Sequence, residues 1–356
     1  MLTQKRASSP PTDGRLRQNR RHVVYILGLL GLLAVVLVAS LTVGAVSLPL
    51  QRVLLLLLHP TAPGVDAMEA TIVWDMRFGR VLLAALIGAG LAGAGAALQG
   101  LFRNPLADPF VVGASSGAAL GATLAISAGL PWGAAGFGPV PLAAFVGAML
   151  AVALVYSIAE MGGVTPVIAL LLAGAALSTF LGAIVSLLVL LHDQNLYAVF
   201  SWLLGGLSGR SWPHLWASMP YMVMGLGALW LLARPLDALA FGDETAQSLG
   251  LPLLWARGAI IIAASLATAA AVAAAGTIGF VGLIAPHAAR LLVGASHARL
   301  IPASALLGAL LLLLADDVAR TALAPLELPV GIVTAMLGGP FFLYLLKTRQ
   351  RQLGAR

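Results

Sequence analysis

Apolar residues run along this chain in long unbroken blocks, neither alternating at strand period nor confined to narrow stripes. A helix crosses a hydrocarbon core of ~30 Å with about 20 such residues. Blocks of this kind fall at about 23–46, 78–98, 113–130, 139–159, 167–191, 214–233, 257–275, 280–294, 302–322 and 329–346. The pattern predicts an all-α polytopic membrane protein with ten transmembrane helices, although the turn at 276–280 is short enough to merge the seventh and eighth. An even count puts both tails on one side.

The polar breaks between blocks are informative. Residues 100–122, "GLFRNPLADPFVVGASSGAALGA", place Arg103, Asn104, Asp108 and two prolines between two apolar spans. Unpaired backbone facing lipid is costly, so such a stretch belongs where it meets water or lines a cavity. Pro105 and Pro109 are expected to turn the chain, and Ser115 and Ser116 to cap the next helix by accepting backbone N–H groups. Residues 192–213 read as a short helix at the membrane interface, with Trp202 and Trp212 in an aromatic belt. Residues 234–256 form a loop whose middle, Asp243 to Leu249, suits a short amphipathic helix ended by Gly250 and Pro252.

Composition agrees. Of 356 residues, 60% are hydrophobic and 9% charged, with a mean hydropathy of +0.99; a soluble domain carries about 25% charged residues. The absence of cysteine excludes thiolate chemistry and disulfides. The net charge of +7 does not indicate nucleic acid, because ten of the twenty basic residues lie in the two tails. Residues 1–22 are expected to be a disordered cytoplasmic arm and 347–356 a basic cytoplasmic tail, flanking a membrane domain over 23–346. A cleaved leader fits less well, because the apolar run after Arg21 is too long. With both tails inside, the basic residues divide 15 inside to 5 outside, as the positive-inside rule requires. The outer five are Arg52, Arg77, Arg80, Arg210 and Arg320.

Several short motifs carry little. "GAGLAG" (88–93) matches a dinucleotide fingerprint but lies inside an apolar helix, where Gly88, Ala92, Ala96 and Gly100 suit close helix packing. "GASSG" (113–117) matches a nucleophile elbow without a histidine placed to serve as its base, which leaves an intramembrane hydrolase a remote alternative. The only lysines are Lys5 and Lys347, so the chain cannot supply a P-loop and should not hydrolyse ATP itself. Asp316 and Asp317 within the ninth span raise a proton-coupled transporter as a rival class; local pairing of Asp316 with Arg320 at i, i+4 is the favoured reading. His287 reads as a packed histidine before a haem ligand. No catalytic or metal-ligating residue is assigned.

Four stretches together resemble the permease subunits of ABC importers for iron–siderophores, haem and cobalamin, the FecCD type. They are "LFRNPLADPFVVGASSGAALGA", "FGDETAQSLG" (241–250), "GTIGFVGLIAPHAARLL" (276–292) and "ELPVGIVTAMLGGPFFLYLL" (327–346). The resemblance covers nearly all of 23–347 and implies a type II importer fold in the bacterial inner membrane, with both termini cytoplasmic. It implies a homodimer, two ATPase subunits that carry ATP and Mg, a periplasmic substrate-binding protein and no cofactor or nucleic acid on this chain. A large iron-containing ligand is expected, haem first, with ferric siderophore or cobalamin as alternatives. By the same resemblance Asn104, Leu106 and Thr165 form the cytoplasmic gate, with Pro166 departing from the usual pattern. Asp243, Glu244, Ala246 and Gly250 couple to the ATPase, and Arg77, Arg80 and Arg320 dock glutamates of the binding protein. The helix at 195–205 would gate the outer mouth.

Overall fold

The computed structural model describes residues 12–44, 46–59, 66–130, 138–160 and 166–354. The described residues fold into a helical bundle with a helix at each of the ten apolar blocks. The first is α1 (Thr12–Thr42), and a short helix missed in the sequence follows, α2 (Leu50–Leu58). Next, α3 (Ala67–Thr71), a π-helical stretch at Ile72–Phe78 and α4 (Gly79–Leu101) run on as one apolar segment. After a polar turn come α5 (Ala114–Ser127), α6 (Pro139–Ala159) and α7 (Val167–Leu191). The short helix α8 (Leu196–Leu203) precedes α9 (Trp212–Leu231), α10 (Ala233–Ala240), the short α11 (Asp243–Ser248) and α12 (Leu253–Ala275). The chain ends in α13 (Val281–Val293), α14 (His297–Thr321) and α15 (Val330–Gly354).

Six of these segments are long and apolar enough to cross a membrane, or seven if α9 and α10, bent by 55°, count as one. The expectation of ten is therefore met by length for six or seven; α5, α13 and Val330–Leu345 of α15 are shorter apolar helices. Residues 234–240, expected as loop, are helical because Leu236 and Leu239 supply a buried stripe. At the amino end, residues 12–22 are helix rather than disordered arm; arginine, glutamine and leucine in that stretch are good helix formers. Residues 1–11 of that arm lie outside the described residues. The basic tail likewise continues α15 through Gly354.

Segment ends follow local chemistry. Pro139 opens α6, Pro166 precedes α7, and Ser211 with His214 forms a reciprocal cap at α9. Helices α4 and α12 are buried along most of their length and form the centre, whereas α1 and α7 bury little of theirs. Small residues make the centre possible. A Cβ on Gly88 would lie 2.2 Å from the Gly308 carbonyl oxygen, and one on Gly308 would lie 2.3 Å from that of Gly88. The "GAGLAG" stretch is thus the seam between α4 and α14. A second seam joins α5 and α6 at Gly117 and Gly147.

Candidate functional sites at the two polar ends

Helix α4 separates two polar ends. Its 23 residues span roughly 35 Å at 1.5 Å per residue. Arg80 lies at its first turn and Arg103 just past its last.

At the Arg80 end, Arg77, Arg80 and Arg320 come together, as expected, but they are not free cations. They are only 7%, 8% and 5% exposed. Arg80 grips Asp316 through Nη2 at 2.9 Å and Nε at 3.1 Å, and Nη1 reaches Glu327 at 2.9 Å. Arg320 lies 3.2 Å from Asp316, donates to Asp317 and donates to the Val43 carbonyl at 2.9 Å. Arg77 donates to the carbonyls of Leu41 at 2.8 Å and Val46. The Ser40 hydroxyl adds a bond to Asp317 at 2.7 Å. The expected Asp316–Arg320 pairing is present, inside a network that ties α1, α4 and α14 together. A buried guanidinium needs such company, because desolvating it alone is costly.

Arg52 and Arg210 are also engaged: Arg52 with Glu69 at 2.5 Å, and Arg210 with His214 at 2.7 Å. Above the network lies a cavity of about 560 Å³, lined by Arg77, Arg80, Arg210 and Arg320 with Asp75 and Glu327. With Asp316 and Asp317 beneath, four cations face four carboxylates. Glu327 sits in the loop between α14 and α15. Burial alone would raise its pKa, but the charge and hydrogen bond of Arg80, a hydrogen bond from Ser208 and the Arg320 charge together outweigh this and hold the carboxyl below its usual range.

The short helix expected within 192–213 forms as α8, exposing Tyr197 and Phe200. Trp202 departs from the expected aromatic belt: it is buried, because α8 folds its inner face onto the loop after α12. Trp212 packs edge-on against Phe78 and stacks on Trp216.

At the Arg103 end, α4 closes in a tight cap. The Asn104 N–H donates to the Gln99 carbonyl at 3.1 Å and the Arg103 N–H to that of Gly100 at 3.2 Å. This pairing is the Schellman motif, whose left-handed position normally holds glycine. Arg103 occupies it, with φ +50°, at a cost of about 1 kcal/mol. The Asn104 side chain then accepts the Leu106 N–H at 3.0 Å, so these two expected gate residues share one turn. Thr165, the third, lies outside the described residues.

Asp108 was given no role from sequence, yet it joins two of the family-like stretches. It accepts from the Phe110 N–H at 2.9 Å and from the Phe280 N–H, which starts α13. Burial pushes its carboxyl up to about 6, against the pull of those two bonds. The serine caps do not form. Gly113, at φ +86°, is the cap residue of α5, and Ser116 instead donates to the Gly113 carbonyl and pairs with Ser178 of α7. A hydroxyl one turn into a helix bonds backward more readily than it caps.

The short helix α11 forms where expected, with Ala246 buried and Glu244 exposed. Asp243 turns inward: it pairs with Arg257 of α12 at 2.7 Å and approaches Arg103 at 3.5 Å. Arg257 is 2% exposed. Exposed Phe241 and Leu249 flank the helix and leave an apolar, acid-edged knob at this end. Nearby, Asp237 of α10 accepts from the His297 ring at 2.6 Å and its N–H at 2.8 Å, fixing the bent α9–α10 pair to α14. Sequence reading missed the partners Arg103, Arg257 and Glu327. The αL turn at Arg103 has no sequence signature, and Arg257 lies 14 positions from Asp243, beyond any helical spacing rule.

The family model described as the FecCD transport family matches residues 32–348. The cobalamin import system permease protein BtuC of Halobacterium salinarum is 47% identical over 292 residues, covering 82% of this chain and 77% of that one. The hemin transport system permease protein HmuU of Yersinia pestis is 40% identical over 336 residues, covering 92% and 96%. A solved structure described as a metal-chelate type ABC transporter in an inward-facing conformation superposes with a TM-score of 0.79 at 33% identity, covering 91% of this chain and 98% of that one.

Proposed function

Because the chain belongs to the FecCD transport family of ABC importer permeases, we propose that it forms a ligand path through the bacterial inner membrane as one half of a homodimer. All ten apolar helical positions then lie in the membrane, the shorter three included, and both termini are cytoplasmic. The Arg103 end faces the cytoplasm and the Arg80 end the periplasm. Hydrolysis of ATP belongs to two partner subunits.

The observation that carries the reading is the knob at α11. Phe241 and Leu249 are 81% and 71% exposed on a polar end of the molecule, beside exposed Glu244. Apolar side chains standing in water around a rigid helix suit a protein partner, and the motor is the partner this family of importers requires. Glu244 and Gln247 face it, while Ala246 and the turn at Gly250 set the helix against the permease.

Docking of the binding protein at Arg77, Arg80 and Arg320 takes an altered form. An incoming carboxylate meets a balanced network rather than bare cations, and it enters by displacing Glu327 from Arg80 within the cavity. Asn104 and Leu106, in one turn, narrow the inner mouth, and Thr165 joins them there. The pairing of Asp316 and Asp317 with arginines favours a structural role for both over proton coupling.

The ligand class is a large metal chelate. Haem, expected first from the sequence, is the ligand named for one relative and cobalamin for another. The test is uptake by the permease–ATPase complex with its binding protein in proteoliposomes, comparing haem, a ferric siderophore and cobalamin. ATP-driven accumulation of one of them is expected. Uptake without ATP that collapses with the proton gradient would overturn the proposal.

A further inference from the structure

We infer that Arg103 is a positioning residue that transmits the displacement of α11 to the inner-mouth turn at Asn104–Leu106, through its contact with Asp243. The inference rests on the permease reading above and extends it to a residue that reading leaves unused.

Two independent observations carry it. The first is conformational. Arg103 stands in the left-handed position of the cap that ends α4, where glycine would sit without strain. A side chain held there against its backbone preference has a use for its side chain. The second is geometric. Its guanidinium lies 3.5 Å from Asp243, the first residue of α11, and a Cβ on Gly242 would come within 3.7 Å of its Nη1. The next residue in the chain, Asn104, holds the Leu106 N–H. The contact from the motor-facing helix to the inner-mouth turn is therefore a single ion pair plus one peptide unit.

Arg257 supplies the fixed point. It is buried in α12 and holds the other oxygen of Asp243 at 2.7 Å. Asp243 is thus shared between an anchored cation and one on a turn, and moving α11 about Arg257 shifts the carboxylate against Arg103. Both Arg103 and Asp243 are about two-fifths exposed, so the pair is screened and contributes little to holding the fold. That suits a contact made and broken in each cycle.

The chain's lack of cysteine makes the test direct. Leu106→Cys, which leaves the Asn104 bond to the N–H of position 106 in place, is introduced as the chain's sole thiol, and its labelling by a charged maleimide is followed with and without ATP; uptake per ATP hydrolysed is measured in parallel on the protein without the added thiol. Arg103→Gly removes the guanidinium and relieves the αL strain together. The expected result is unchanged or raised thermal stability, intact assembly with the ATPase, uptake per ATP reduced at least tenfold, and no ATP-dependent change in labelling. Arg103→Lys, which keeps the charge, should recover uptake to within about threefold. If Arg103→Gly retains wild-type uptake per ATP and ATP-dependent labelling, or if it is destabilised and loses assembly, the linkage is overturned while the permease reading stands. Failure of the wild-type complex to transport at all overturns that reading, and the linkage with it.

Discussion

Replacing Asp316 by alanine tests what the buried network at the Arg80 end is for. The carboxylate is 1% exposed and receives two bonds from Arg80, at 2.9 and 3.1 Å, with Arg320 at 3.2 Å. Breaking a buried ion pair from one side costs about 3–5 kcal/mol. Here Arg80 retains Glu327, and Arg320 retains Asp317 and the Val43 carbonyl, so part of the charge stays compensated. A loss of roughly 2–4 kcal/mol is expected, since hydrogen bonds to charged groups are worth about 1.5–3 kcal/mol each. Asp316→Asn keeps shape and one acceptor and should lose about half as much. Arg80→Met alone leaves Asp316 with Arg320 only and should cost a similar amount. The double variant should cost less than the sum, by about 1.5 kcal/mol or more, because each single change deprives the other member of the pair of its partner and the double change leaves neither behind. Unfolding in a denaturing-detergent titration, followed by tryptophan fluorescence, gives the cycle. Additivity within ~0.5 kcal/mol would refute the pairing argument. Wild-type stability in Asp316→Ala, combined with uptake that has lost its pH dependence, would revive a proton-handling role.

Other expectations follow from the same geometry. Glu327→Gln removes the internal competitor for Arg80 and should tighten binding-protein docking about three- to tenfold in a titration at low salt; weaker docking would mean that Glu327 itself contacts the partner. Asp108, with its carboxyl raised to about 6, opposes folding while ionised, so its penalty is full above pH 6 and fades as pH falls toward 4. Asp108→Asn should therefore gain stability relative to wild type at pH 7–8, by about 1–2 kcal/mol after allowing for its partial exposure, and lose that advantage near pH 4. A melting series across pH 4–8 with a flat difference would dispose of this. Asp243→Ala withdraws the carboxylate from buried Arg257 and should destabilise by on the order of 1–3 kcal/mol, whereas exposed Glu244→Ala should leave stability unchanged and lower only motor coupling. Equal melting temperatures for the two variants would contradict the inward role of Asp243.

The helices were legible because lipid imposes one rule everywhere: long apolar runs with all backbone bonds satisfied internally. The short α11 was legible too, since Asp243 and Glu244 open it and Gly250 ends it. What periodicity could not supply was distance across the chain. Asp316 with Arg320 is a spacing of four and readable; Arg80 with Asp316 is a separation of 236 and is not. The arginines at 77, 80 and 320 were grouped by resemblance, and the structure does group them, but burial and Glu327 change what a partner would meet there. Ser115 and Ser116 show the limit of local rules: the residue types suit a cap, yet the αL turn at Gly113 takes that position.

The Gly88–Gly308 seam bears on how force can travel through the molecule. With each backbone seated where the other's side chain would be, α4 and α14 have no room to slip along one another. A shift by one residue would drive a Cβ into a carbonyl oxygen. The two helices must therefore swing as one stiff plate, with Arg103 and His297 at one edge and Arg80 and Arg320 at the other. Stiffness makes distance cheap: a small tilt imposed at the Asp243 edge arrives at the far edge as translation, scaled by a lever of roughly 35 Å. Such a protein needs no relay of side chains between its two faces.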